Sequence, residues 1–186
     1  MKKNIWLTAD LHLFHTNIIK FCNRPFSSVE EMNNTLVTKW NCVVGEYEIV
    51  YVLGDFSLGT LTETSEVISK LNGYIVIITG DHDYWIKDLE RKYPKSKNGN
   101  EVMIMKNQLY EFGYLSNYVT LCHYPMRSWR RKFHGSYHFY GHVHGKLPQF
   151  ERSMDVGVDT NNFYPISVGS AIAQIDLNYK FVPTPD

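Results

Sequence analysis

Residues 74–83 read Tyr74-Ile75-Val76-Ile77-Ile78-Thr79-Gly80-Asp81-His82-Asp83. A β-branched apolar run stops at Gly80, and three ionisable residues follow at once. The run has the length and residue types of a strand buried on both faces. Gly80 lets the backbone turn sharply where the strand ends. Asp81, His82 and Asp83 are then presented at the C-terminal end of a strand, where open α/β sheets place their chemistry. Taken alone, the tetrapeptide is equally a polar turn.

Working outward, the same ending recurs. Asn4–Ala9 is an apolar run followed by Asp10 and His12. Ile49–Leu53 is followed by Gly54 and Asp55, Tyr118–Cys122 by His123, and Phe139–Tyr140 by Gly141, His142 and His144. Five buried-looking strands each deliver Asp or His at the same end. On extended backbone, positions i and i+2 point to one side, so Asp10 with His12, and His142 with His144, are each expected to reach one centre. Mixed carboxylate and imidazole suit Zn, Mn, Fe or Ni rather than Ca or Mg alone.

These motifs resemble those of the calcineurin-like metallophosphoesterases. Asp10-x-His12, Gly54-Asp55, Gly80-Asp81-His82-Asp83, His123 and Gly141-His142-x-His144 stand in that family's order from residue 10 to 144. The stretch Asp10–Phe26 further resembles a small single-domain bacterial and phage branch. One position departs: Asp81 stands where the family normally has Asn.

The resemblance implies two facing mixed sheets flanked by helices, a four-layer αββα sandwich within α/β, with the metal site at one edge. It implies two divalent transition-metal ions, with Mn expected and Fe, Zn or Ni as alternatives. Metal one would take Asp10, His12, Asp55 and His144. Metal two would take Asp55, Asp81, His123 and His142, with Asp55 bridging. His82 resembles the family's phosphate-contacting histidine, which helps protonate the leaving oxygen. Asp83 is read either as the residue holding His82 in place or as a helix N-cap. His15, Asn17 and Arg24 match the small-branch motif and are candidate pocket residues.

Arg127, Arg130, Arg131 and Lys132 follow His123 among Tyr124, Trp129 and Phe133. Guanidinium groups suit phosphate and aromatics can stack a base, so Arg127 and Arg130 are substrate candidates. The competing reading is a solvated loop with scattered charge.

The chain of 186 residues fits one domain, 1–186, with a sizeable core. Its 19 Lys and Arg balance 19 Asp and Glu, which argues against a protein held to nucleic acid by bulk charge. The three cysteines, Cys22, Cys42 and Cys122, lack metal-knuckle spacing and read as free thiols in a reducing compartment. Neither a signal peptide nor a membrane span is legible, so a soluble cytoplasmic protein is expected. It would be a monomer or homodimer acting on a small phosphate ester, with little affinity for nucleic acid.

Helices are expected over Ser28–Val44, capped by Ser28 with Glu31, over Thr62–Leu71 and Tyr84–Tyr93, and as a short element at Ser167–Ile175. Further strands are expected near Val102–Met105, Leu109–Phe112, Tyr137–Tyr140 and Met154–Val158. The loop after the first strand carries His12, His15 and Asn17, and the C-terminal Pro-Thr-Pro-Asp is expected to fray. The expected activity is hydrolysis of a phosphodiester or phosphomonoester by metal-bridging hydroxide, with a small nucleotide-type diester favoured. The alternatives are a nuclease on single-stranded ends and a non-catalytic scaffold or nucleotide-binding module.

Overall fold

The computed structural model describes residues 4–89 and 93–180. The first sheet contains β1 (Ile5–Thr8), β2 (Ile49–Leu53), β3 (Tyr74–Ile78), β4 (Met103–Met105) and a late strand, β9 (Ile166–Ser167). The second contains β5 (Leu109–Tyr114), β6 (Asn117–Cys122), β7 (Tyr137–Tyr140) and β8 (Ser153–Asp155). The helices are α1 (Thr16–Phe21), α2 (Val29–Val43), α3 (Leu61–Ile68) and α4 (Val168–Asn178).

Strand order in the first sheet is β4-β3-β2-β1-β9, with β9 antiparallel to β1 and the others parallel. The second runs β5-β6-β7-β8, with only β5 antiparallel. Both are therefore the expected mixed sheets. Parallel strands put their C-terminal ends along one edge, which brings the Asp and His endings together.

The apolar runs are buried on both faces because alternate side chains enter different cores. Val50, Val52, Ile75 and Ile77 join Met32, Leu36 and Trp40 of α2 and Ile68 of α3. Tyr51, Leu53, Val76 and Ile78 face Val119, Leu121 and Phe139 of the second sheet, with Val168, Ala171 and Ile175 of α4 in the same cluster. The far side of the second sheet is covered by the segment after β6, where Trp129 lies 5.4 Å from the His138 ring.

The start of α2 follows the sequence cue, while α3 begins one residue earlier than the expected Thr62, behind a Thr60 cap that was not expected. The Ser28 hydroxyl accepts from the Glu31 N–H at 3.1 Å, and Thr60 and Glu63 form a reciprocal capping box. Three elements differ from expectation. The segment after the first strand holds the six-residue α1, whose single buried side chain, Ile18, is too little to show a helical period in sequence. Tyr84–Asp88 is a 3₁₀ turn that buries Trp85 and has no side-chain cap from Asp83. Residues 90–92 of the helix expected there, and the Pro-Thr-Pro-Asp tail, lie outside the described residues. The third is β9, a two-residue strand too short to read. No described helix is long and apolar enough to cross a membrane.

Candidate metal centre

The strand endings do not converge by staying extended. Asp10, His12, Asp55, His142 and His144 have φ of 57°, 51°, 54°, 70° and 49°, all in the left-handed region. The expected i, i+2 geometry is thereby corrected: the chain breaks after β1, β2 and β7 and folds these donors inward. Asp and His tolerate this region better than most residues, and the remaining strain of about 1–3 kcal/mol each is characteristic of functional sites. Two glycines make room. A Cβ on Gly54 would collide with the His123 ring, and one on Gly80 with the Asp55 carboxylate.

Two donor groups result. Asp10, His12 and His144 bring ligand atoms within 4.8 Å of one another, as do Asp81, His123 and His142. Asp55 stands between them, with its Oδ2 3.5 Å from His12 Nε2 and 3.6 Å from His123 Nε2. Asp10, Asp55 and His123 also form such a group. So all seven sequence-derived ligand candidates meet at one edge of the sandwich.

The imidazoles are set for ligation. His123 Nδ1 lies 2.7 Å from the Leu53 carbonyl, so Nδ1–H donates and the Nε2 lone pair faces the cluster. That Nε2 and both ring nitrogens of His12 are buried without a hydrogen-bond partner. Burial, then Asp155 and Asp55, hold the Asp10 carboxyl well above the usual range. Burial, then His144 and Arg24, push His12 down to about 2. Crowded carboxylates and an imidazole that cannot protonate form a poor arrangement unless a cation sits among them. The donor set therefore fits divalent transition metals.

A supporting layer fixes this geometry. The Asp83 carboxylate accepts from the backbone N–H groups of Asp55 (3.0 Å), Phe56 (2.8 Å) and Gly80 (2.9 Å). It joins the two ligand loops, and neither caps a helix nor holds the His82 ring. His82 is tied by its own N–H, which donates to Asp55 Oδ1 at 2.9 Å. Its ring lies 5.4 Å from that of His12. The Tyr124 hydroxyl donates to Asp81 Oδ1, while Asp81 Oδ2 lies 3.5 Å from His142 Nδ1.

Asp155 and Asp159 are functional neighbours that sequence reasoning missed. Asp159 Oδ2 accepts from His144 Nδ1 at 2.7 Å, and Asp155 accepts from the N–H groups of Gly145 and Gly157 at 2.8 Å each. The signal was present as two aspartates flanking Gly157 just after a strand, but Met154–Val158 read as strand and Asp159 was left unassigned. The strand stops at Asp155, and Ala9 pairs with Gly157 across the sheets.

The substrate candidates divide. His15 is partly buried with its ring 6.4 Å from that of His82, so it belongs to the site. Asn17 is exposed on α1. Arg24 is not a pocket residue: it is 4% exposed and its guanidinium is bound to Asp159, the Asp10 and Leu11 carbonyls and Met32 Sδ. Arg130 is directed elsewhere, bonding the Tyr118 hydroxyl at 2.9 Å. Tyr118 is five residues from His123 along an extended strand, roughly 16 Å. Arg127 is exposed, with its guanidinium 4.7 Å from the Phe150 ring centre.

A two-sheet sandwich with these donors at its edge is the arrangement of a metal-dependent phosphoesterase. The chain belongs to the calcineurin-like phosphoesterase family, which residues 3–131 match. It is 35% identical to an uncharacterized protein of Methanocaldococcus jannaschii over 183 residues, covering 94% of this chain and 92% of that one. It is 36% identical over 83 residues to the Gene 66 protein of a mycobacterium phage, covering 43% and 40%. A protein of unknown function from Aquifex aeolicus has the same fold, with a TM-score of 0.69 at 18% identity over 94% of this chain and 100% of that one.

Proposed function

We propose that this protein hydrolyses phosphate esters, with a small phosphodiester favoured, at a centre of two divalent metals. Asp10, His12, Asp55 and His144 would hold one ion, and Asp55, Asp81, His123 and His142 the other. When bound, the pair would supply Lewis acidity toward phosphoryl oxygens and a water nucleophile at neutral pH. The observation that carries this reading is the Asp55 carboxylate, whose Oδ2 lies 3.5 Å and 3.6 Å from imidazole nitrogens of the two groups.

The chain's own residues then take distinct parts. His82 stands beside the first donor group as the general acid for the leaving oxygen. Asp83 keeps the Asp55 and Gly80 loops in register, so that His82 and Asp55 move together. Asp159 holds His144 in one tautomer, as carboxylates behind metal-binding histidines do. His15 lies next to His82, where it can meet a substrate oxygen.

The test is to saturate the metal-stripped protein with Mn, count the ions and assay bis(p-nitrophenyl) phosphate. The expected result is two ions per chain, with hydrolysis abolished by chelation and restored by Mn. Saturation at one ion would overturn the dinuclear reading. Full metallation without hydrolysis of any phosphomonoester or diester would overturn the enzymatic one.

A further inference from the structure

A groove of about 260 Å³ runs along the second sheet from Phe150 and Ser153, at the start of β8, to Pro125, Tyr140 and Leu147, with Arg127 in its wall. Its walls are continuous with the ligand loops. Pro125 is two residues beyond His123 and Tyr140 two before His142, so their Cα atoms lie within about 7.6 Å of those ligands'. Leu147 is three residues beyond His144.

The groove is mostly apolar and no carboxylate lines it. Arg127 lies in its wall, and the Lys132 ammonium reaches the same aromatic ring, 4.7 Å from the Phe150 centre. The Arg127 guanidinium lies 4.7 Å from the Phe150 ring centre. The Arg127 carbonyl accepts from Lys132 Nζ at 3.1 Å, and that ammonium also pairs with Glu151 at 3.0 Å. An exposed guanidinium anchored this way offers a flat face for stacking and N–H groups at its edge. That differs from a cation reaching into the metal centre to grip the scissile phosphate.

Resting on the phosphoesterase reading, we propose that this groove binds the nucleoside arm of the ester, with the base stacked on the Arg127–Phe150 pair. A nucleobase is flat, largely apolar on its faces and rich in acceptors at its rim, which matches apolar walls around one guanidinium. The substrate class is then a small nucleotide ester rather than a sugar phosphate.

The test compares binding of adenosine 5′-monophosphate and ribose 5-phosphate to the Mn-loaded protein by calorimetry. The two share phosphate and ribose and differ in the base. The nucleotide is expected to bind about 5- to 100-fold more tightly, the range set by stacking one base on a side chain. Arg127→Ala and Phe150→Leu, each checked for a native circular dichroism spectrum, should bring that ratio toward one. Equal affinities in the parent protein would overturn the proposal. So would a parent preference that both variants retain, which would put the base elsewhere. Equal loss of both ligands in Arg127→Ala would overturn it in favour of phosphate binding by that guanidinium. Hydrolysis of bis(p-nitrophenyl) phosphate separates the two readings: an active protein with no base preference loses only the groove proposal.

Discussion

Arg24 and Asp159, 135 residues apart, form a fork-to-fork pair with Nε–Oδ1 and Nη2–Oδ2 both at 2.8 Å. The same guanidinium donates to the carbonyls of Asp10 (2.7 Å) and Leu11 (2.9 Å), and the same carboxylate accepts from His144. Burial raises the Asp159 carboxyl, but its bonds to His144 and Arg24 lower it by more, so the net shift is downward. The pair therefore ties the backbone at Asp10 and Leu11 to the loop that carries His144.

Removing Arg24 should cost more stability than its count of bonds suggests. Arg24→Ala leaves a buried carboxylate without its cation and two carbonyls without donors. About 3–5 kcal/mol is expected, read by urea denaturation. Arg24→Lys should recover little of it, because an ammonium cannot bond both oxygens and both carbonyls. A variant as stable as the parent would show that the pair is not needed to hold the fold.

His82→Ala should lower turnover by roughly 10²–10⁴-fold on an ester with an alkoxide leaving group. The loss should be much smaller with nitrophenolate, which departs without a proton. Steady-state rates on the two substrates at equal metal loading make the comparison. Equal losses would assign His82 to phosphate binding instead.

Asp81 carries a charge where the family has a neutral amide, and an ionised carboxylate has no N–H to give a phosphate. Tyr124 occupies one of its oxygens. That bond, then burial, pushes the phenol up to about 12, so it remains a donor at neutral pH. Asp81→Asn should weaken the second metal, measured by titration, and raise kcat at full occupancy by about tenfold or more, since a lost oxyanion donor costs roughly 10²–10³-fold. A fully metallated Asp81→Asn slower than the parent would make the carboxylate part of the native chemistry.

His138 gives the fold a pH dependence away from the metals. Its Nδ1 lies 3.2 Å from the Thr120 carbonyl and its Nε2 accepts from the Met126 N–H at 3.2 Å, which fixes the neutral tautomer. Burial pushes its pKa down to about 4. The unfolded chain binds the proton below about pH 6.5 and the folded chain only below about 4. The stability is therefore fully present above pH 6.5 and is lost as pH falls to 4, by on the order of 3 kcal/mol. His138→Gln should show a shallower slope of unfolding free energy over that interval. Identical slopes would mean His138 does not titrate on unfolding.

The strands other than β9, their order of polar endings and the seven metal-ligand candidates were legible in the sequence, because each depends on a short run of residues. An apolar β-branched stretch followed by Gly and Asp reads the same wherever it lies. The α2 cap was legible for the same reason, since Ser28 bonds a group three residues away; the Thr60 cap of α3 was not read. What lies between segments was not. Asp83 reads locally as a cap, yet its carboxylate finds the Asp55 loop because β2 and β3 are neighbours. Arg24 reads as a pocket residue and is instead buried against Asp159. Arg127 and Arg130 are three residues apart and read alike, but one rests on Phe150, in the turn ahead of β8, and the other on Tyr118, near the start of β6. Backbone pattern and side-chain chemistry are local and survive in one dimension. A long charged side chain takes its partner from whichever surface the packed sheets bring within reach, and only the tertiary structure decides that.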